Sequence, residues 1–384
     1  MTKKNVVVLG STGSIGRGAA DVLAANSERF SVYAIAAKNN IDELVRQNKL
    51  LKPEVVITAA DEKYSELRKN IPAETVVRSG MQAMIDIVQQ PEVDIVLCSI
   101  VGTAGILPVL GALKAGKRVA LASKEVLVLA GELVMQALAD SPGGELIPVD
   151  SEHSGVFQAI AGRRNDEIAK IWLTASGGPF RNWRKEDIEK ASLADALAHP
   201  TWNMGRKITV DSASMMNKAL ELVEAKYLFN VSAEQLAVVV NPQSAVHALA
   251  ELTDGSMIAQ LSVPDMRLAI GYALSYPERL SKPGSFMDLA AIGKLDFLAP
   301  DKEKFPSLKF ADTALNCGGT MPAIMNAANE VAVERFCNGD IHFGGIWKIV
   351  EKVMEQARVE KQQSLEQILE ADMDARRKAW DIKL

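Results

Sequence analysis

Cysteine is almost missing from this 384-residue chain: Cys98, Cys317 and Cys337 stand far apart, odd in number and without a CxxC pair. A disulfide frame is excluded, and the three read as small core residues of a reducing compartment. An excess of positive charge is missing too. The formal net charge is −5, with acids and bases interspersed, so there is neither a phosphate-backbone footprint nor a polybasic membrane patch, and no nucleic-acid or membrane partner is expected. A cleavable signal pattern is lacking, since MTKKNVVVLG passes from a basic tail straight into an apolar run; a cytoplasmic protein is expected. The uncharged run from Ile95 to Leu113 could nominally span a bilayer, but Gly102, Gly105, Pro108 and Gly111 interrupt it at turn and cap positions. Strand, loop and helix are expected there instead. Internal repeats and low-complexity tracts are absent.

What is present is ordinary globular material, 48% apolar and 24% charged, enough for more than one core and for two or three domains. The first ~150 residues alternate β-branched runs (NVVVLG, SVYAIAA, PEVVITAA, ETVVRS, VDIVLCSI, KRVALAS, ELIPVD) with helical patterns, the rhythm of an α/β parallel sheet covered on both faces. After Asp150 the rhythm changes. KIWLTAS and LAVVVN read as strands, and AVHALAELTDGSMIAQLS as a hairpin turning at Asp254-Gly255, which predicts a second sheet with antiparallel members. SMMNKALELVEAKYLF reads as a helix, Glu278 to Phe310 as a surface linker broken by Pro283, Pro300 and Pro306, and the remainder as a small helical bundle.

The pattern GSTGSIG, Gly10 to Gly16, follows the first strand and opens a helix, the context in which glycines let a backbone approach a pyrophosphate and free N–H groups receive it. Its spacing is GxxGxxG, and a tight strand-to-helix turn without a ligand is the alternative. At the end of the second strand an NAD site carries an acid for the ribose hydroxyls; here stand Lys38 and Asn39, which favour the 2′-phosphate of NADPH, an ordinary surface lysine being the alternative for Lys38. The stretch VDSEHSG places Asp150 and Glu152 two residues apart. In extended backbone both would point to one face, and two such carboxylates are reconciled by a hard cation such as Mg²⁺ or Mn²⁺, or simply face water. In the helix after Ser212, Asn217, Lys218 and Glu221 share a face, apt for a phosphate and a third oxygen ligand, or for no more than a surface ion pair. Lys124 falls at the carboxyl end of a strand, the edge where parallel sheets bind ligands. His153 and His247 are expected to be structural.

Taken together, GSTGSIG, SKE, PVDSEHSGVFQ, SGGPF, HPTWNMGRKITVDSASMMNKALELVEA, NPQS, PDMR and NAANE resemble the 1-deoxy-D-xylulose 5-phosphate reductoisomerases, NADPH-dependent enzymes of the non-mevalonate isoprenoid pathway. The resemblance runs in order from Gly10 to beyond Glu330. It implies a homodimer with a Rossmann-like NADPH domain (1–149), a central α+β catalytic, metal-binding and dimerising domain (150–277) with a lid at 176–207, a linker (278–310) and a C-terminal helical bundle (311–384). It implies that Asp150, Glu152 and Glu221 hold a divalent cation, Mg²⁺, Mn²⁺ or Co²⁺. Substrate contacts fall on Lys124, Ser151, Glu152, Ser176, His199, Ser212, Asn217, Lys218 and Glu221, with Ser176, Ser212, Asn217 and Lys218 on the phosphate and Trp202 and Met204 in the lid. NADPH positions fall on Thr12, Gly13, Ser14, Ile15, Ala37, Lys38, Asn39, Ser123, Glu125 and Gly205. The chain departs from the family pattern at Ser123, usually Asn, at Asn241, usually His, and at Ala37, commonly Gly.

The implied reaction is a metal-assisted skeletal rearrangement followed by hydride transfer, giving 2-C-methyl-D-erythritol 4-phosphate. Two rivals share the same residues. A plain NADPH-dependent dehydrogenase of a phosphorylated aldehyde would use the acids as structure, and a dimeric NADPH sensor would bind the cofactor without turnover.

Overall fold

Runs such as Val6-Val7-Val8-Leu9 are buried without alternation, as a parallel strand requires when helices cover both faces of its sheet. The computed structural model describes residues 3–202, 204–281 and 284–384 and forms two units; Pro283, expected in the linker, lies outside the described residues. Seven strands, β1 (Lys4–Leu9), β2 (Phe30–Ala37), β3 (Val55–Thr58), β4 (Val76–Ser79), β5 (Ile95–Cys98), β6 (Arg118–Leu121) and β7 (Glu145–Pro148), make the parallel sheet of unit 1 in the order β4-β3-β2-β1-β5-β6-β7. All seven expected strands are present. The order reverses between β2-β1 and β1-β5, so the switch point of this doubly wound sheet lies beside the turn that leaves β1.

In unit 2, β8 (Ile168–Ala175), β9 (Leu236–Val240), β10 (Val246–Leu252) and β11 (Met257–Leu261) form a mixed sheet, β11-β10-β8-β9, with the expected β10-β11 hairpin and β8 parallel to β9.

The helices are α1 (Ser14–Ala25), α2 (Ile41–Leu51), α3 (Tyr64–Asn70), α4 (Gly80–Val88), α5 (Ile106–Lys114), α6 (Lys124–Ala139), α7 (Ser151–Ala159), α8 (Lys185–Ile188), α9 (Leu193–Leu197), α10 (Arg206–Ala213), α11 (Met216–Phe229), α12 (Met266–Ser275), α13 (Leu289–Ile292), α14 (Ser307–Cys317), α15 (Met321–Asn338), α16 (Phe343–Glu355) and α17 (Leu365–Asp381). Among the described residues, no helix is long and apolar enough to cross a membrane.

Three features differ from the sequence-based division. Residues 265–285 belong to unit 1, not to the sheet that precedes them, because α12 packs on α1: a Cβ on Gly18 would stand 3.1 Å from Ile270 Cδ1. The linker ends earlier than Phe310, since α14 begins at Ser307, and it is pinned at Leu298, whose N–H and C=O both bond to Val240. The C-terminal helices cluster with the mixed sheet in one unit.

Unit 2 also takes Leu127–Leu133 from the middle of α6, where Ala130 leaves helical geometry (φ −125°, ψ 31°). The groups freed by that break are taken up by Gln362, whose amide donates to Leu129 O (3.0 Å) and to Gly319 O (2.9 Å) and accepts from Glu132 N–H (3.2 Å). Gln362→Leu leaves those backbone groups without partners, and each such buried group costs about 1–3 kcal/mol. The urea midpoint should fall by the equivalent of about 2 kcal/mol with an unchanged slope; an unshifted midpoint would show that water satisfies the break equally well.

Candidate active site

In unit 1 the turn after β1 is built for close approach. Gly10 has φ +82° and lies against Ser99, where a Cβ would stand 2.7 Å from the Ser99 carbonyl oxygen. Gly16 packs so tightly that its Cβ would meet Ser11 O at 2.3 Å and Gly10 O at 2.4 Å. No side chain caps α1 and no acid lies in its first turn; Gly13 N–H bonds back to Gly10 O (3.1 Å), the N–H groups of Ser14 and Ile15 remain for an anion, and Arg17 is exposed one residue after the glycines. The Ser11 hydroxyl is buried and has no partner among the described residues. Across the switch point, Ala37 ends β2 and Lys38 and Asn39 are exposed beyond it, with no carboxylate in the adenosine-ribose position. These features fit a dinucleotide whose ribose carries a phosphate.

β6 and β7 pair in parallel register up to Leu121 and Pro148, so the residues leaving them emerge side by side. Lys124 opens α6, and its ammonium lies 3.1 Å from Asp150 Oδ2, both side chains largely buried. The extended backbone expected through Glu152 is corrected here. β7 stops at Pro148 and α7 starts at Ser151; Asp150 Oδ1 accepts the N–H of Glu152 (3.1 Å) and lies 3.4 Å from that of His153. A helix N-terminus, with its free donors and positive dipole end, therefore gathers the two acids in place of a two-residue strand repeat. Ser151 Oγ donates to Glu152 Oε2 (2.6 Å), and His153 Nδ1 lies 3.3 Å from Asp150 Oδ1. His153, expected to be structural, is fully buried beside Asp150.

The departures from the family pattern are accounted for locally. Ser123 donates its hydroxyl proton to Ile100 O, leaving only its lone pairs for a cofactor, while Glu125 beside it is buried. Asn241 is fully buried and fully used: its amide donates to Gln243 Oε1 and Asp296 O and accepts from Ala245 and Val246 N–H. It fixes a turn and is already saturated. Ala37 is a buried strand end.

In unit 2, Ser176 follows β8 and leads into Gly177 and Gly178, both with positive φ. A Cβ on Gly178 would stand 2.9 Å from Ser212 O, so the glycines bring the Ser176 turn against the end of α10. Met215, in left-handed geometry (φ 62°), then turns the chain into α11. There Asn217 Nδ2 and Lys218 Nζ both donate to the Glu221 carboxylate, with Lys218 and Glu221 nearly without solvent exposure. The surface ion pair considered from sequence is in fact buried, because α11 is enclosed on all sides. Such a pair is held by geometry and is costly to break.

His199 Nε2 lies 3.2 Å from Ser176 Oγ, while its Nδ1 accepts the N–H groups of Thr201 (3.2 Å) and Trp202 (2.9 Å). The proton of the neutral ring must therefore sit on Nε2, which leaves the Ser176 hydroxyl free to donate elsewhere. Burial holds the imidazole below its usual 6.5, in keeping with those two bonds. The folded state thus binds fewer protons here than the unfolded chain, so this contribution is complete above about pH 6.5 and is lost as pH falls through the folded pKa. The Michaelis constant for a phosphorylated substrate should rise as pH falls from 7.5 to 5.5, and His199→Gln should flatten that limb; an equally steep limb in the variant would clear His199. Trp202 lies 6.5 Å ring to ring from His247, Met204 is half-buried, and Gly205 caps α10.

A phosphate cradle at the switch point of a doubly wound sheet, with a lysine-paired acid, Asp150, at the same carboxyl edge, defines a dinucleotide-dependent enzyme of the α/β class. Family models described as 1-deoxy-D-xylulose 5-phosphate reductoisomerase, its C-terminal domain, and the DXP reductoisomerase C-terminal domain match residues 6–131, 146–229 and 261–378. A 1-deoxy-D-xylulose 5-phosphate reductoisomerase of Geobacter sp. (strain M21) is 47% identical over 99% of this chain and 98% of its own. The Zymomonas mobilis reductoisomerase, solved with NADPH, superposes with a TM-score of 0.93 at 38% identity, covering 98% of both chains. A DOX-P reductoisomerase solved with NADPH, fosmidomycin and magnesium gives 0.93 at 37% identity over 98% of this chain and 97% of that one. The chain belongs to the 1-deoxy-D-xylulose 5-phosphate reductoisomerase family.

Proposed function

We propose that this chain converts 1-deoxy-D-xylulose 5-phosphate to 2-C-methyl-D-erythritol 4-phosphate with NADPH and a divalent cation, in the non-mevalonate isoprenoid pathway. The observation that carries the reading is the full-length family match, joined to a cradle that only a glycine at position 16 permits. Thr12, Gly13, Ser14 and Ile15 would receive the pyrophosphate, Ala37, Lys38 and Asn39 the phosphorylated ribose, and Ser123, Glu125 and Gly205 would complete the cofactor contacts. Asp150, Glu152 and Glu221 would hold the cation, an all-oxygen donor set suited to Mg²⁺, Mn²⁺ or Co²⁺. When bound, the cation supplies Lewis acidity at the substrate carbonyl and the nicotinamide supplies the hydride.

The remaining work belongs to side chains. Lys124 pairs with Asp150 and orients it, and Ser151 orients Glu152. Lys218 and Asn217 orient Glu221, and with Ser176 and Ser212 they grip the phosphate. His199 fixes the Ser176 hydroxyl as a donor toward it. The segment 176–207, with Trp202 and Met204, closes over the substrate and excludes water during the aldehyde stage.

The chain is further proposed to be a cytoplasmic homodimer joined through the mixed sheet of unit 2. Trp172 and Leu249, opposite each other on one face of that sheet, are only partly covered, and edge strand β11 carries the exposed Met257. Sedimentation at micromolar concentration should give twice the chain mass.

The deciding experiment follows NADPH absorbance with 1-deoxy-D-xylulose 5-phosphate, with and without Mn²⁺ and with a chelator. Oxidation that needs both substrate and metal supports the reading; chelator-insensitive oxidation favours a plain dehydrogenase, and tight NADPH binding without turnover a sensor.

A further inference from the structure

The lid proposed above ends at Lys207, and its end is fastened to a helix far along the chain. Lys207 Nζ lies 2.9 Å from Asp211 Oδ2, and Asp211 is 1% exposed. The other oxygen of that carboxylate accepts from Asn329 Nδ2 of α15 at 2.8 Å. One residue before Lys207, Arg206 donates to Cys337 O in the last turn of the same helix, at 2.8 Å. A cation on the free carbonyls of a helix C-terminus is favourable in its own right.

Asn329 is fully buried, yet its own Oδ1 has no hydrogen-bond partner among the described residues. An apolar residue of similar size would fill that place without burying an unsatisfied carbonyl, so packing of α15 does not explain the amide. What it does there is aim one N–H at Asp211. Towards its start the segment is fixed by His199 to Ser176, by Lys304 Nζ donating to Arg181 O (2.7 Å) and by Gly344 N–H donating to Glu189 O (3.1 Å), while the Thr201 and Trp202 N–H groups bond only locally, to His199. Trp202 and Met204 lie between these anchors and the Lys207 end.

We propose that Asn329 is a positioning residue for substrate binding: through Asp211 it holds Lys207, and so sets where the carboxyl end of the lid is anchored. It touches neither substrate nor cofactor. The proposal rests on the lid reading above, and the test separates the two.

Steady-state kinetics are measured for the full-length wild type, Asn329→Leu, Lys207→Met and the double variant, together with amide exchange over 199–207 with NADPH, Mg²⁺ and fosmidomycin. Each single variant should raise KM for 1-deoxy-D-xylulose 5-phosphate about five- to tenfold, with kcat within about twofold and NADPH affinity unchanged. The double variant should be no worse than the worse single one, since both break one chain of contacts. Multiplying effects on KM, or a fall in kcat alone, would overturn the proposal. If Asn329→Leu does not fold, Asp211→Asn, which keeps the shape and removes the charge that holds Lys207, should give the same KM rise; an unchanged KM overturns it. Wild-type exchange that fosmidomycin fails to slow overturns the lid reading and this proposal with it. Wild-type exchange that slows, with Asn329→Leu behaving identically, overturns the Asn329 role alone.

Discussion

Glu221→Gln should abolish metal-dependent turnover, by about 10³-fold or more, while leaving NADPH affinity within about twofold. The reasons lie in its surroundings. Glu221 is fully buried and receives both Lys218 and Asn217, so glutamine keeps the volume and removes the charge that these two donors meet. The Lys218 ammonium, its side chain 4% exposed, then loses this ion pair in an enclosed helix. Breaking such a pair from one side costs about 3–5 kcal/mol, so a lowered melting temperature should accompany the lost activity. The cofactor cradle is on α1 in the other unit and has no reason to change. Calorimetry with NADPH and a Mn²⁺ titration of activity check the two halves separately. A variant that still responds to Mn²⁺ would remove Glu221 from the cation site, and a large loss of NADPH affinity would mean that its role is cofactor binding.

Gly16→Ala should weaken NADPH binding about 100-fold, near 2.7 kcal/mol, and raise its KM accordingly. The obstruction is backbone: the new methyl would lie 2.3 Å from Ser11 O and 2.4 Å from Gly10 O, closer than any side-chain adjustment relieves. The turn must open, and the N–H groups of α1 lose the convergence an anion needs. Gly18→Ala is the matched control on the same helix. Its methyl would meet only the tip of Ile270, 3.1 Å away, which can rotate, so NADPH affinity should stay within about threefold. Equal losses in the two variants would show that helix integrity, not the cradle, is being measured.

The parallel sheet was legible because each strand is a β-branched run bounded by Gly, Pro or Asn, and neighbours are joined by helical spacing. The hairpin at Asp254-Gly255 was legible for the same local reason, and the phosphate turn because its glycines stand between strand and helix. Glu152 was misplaced because a strand that stops at Pro148 and a helix that starts at Ser151 are separated by a cap, whereas a two-residue period ignores caps. The return of α12 to the first sheet depends on Gly18 meeting Ile270, about 250 residues apart, which no local pattern encodes. Lys218 and Glu221 read as surface residues because burial of charge inside α11 contradicts the rule that amphipathic spacing relies on. Their burial is a local breach of folding rules, as the proposed site would require.

The Gln362 amide that spans the break in α6 has a consequence for synthesis. A ribosome releases residues 127–133 long before it reaches position 362, so during translation the broken turn waits with its backbone groups in water. Unit 2 takes residues from both ends of that interval, and unit 1 is likewise interrupted and resumed at 265–285. Neither half can be cut out as one continuous fragment, and a nascent chain that stalls before the final helices carries all of unit 1 but leaves the core of unit 2 unfinished.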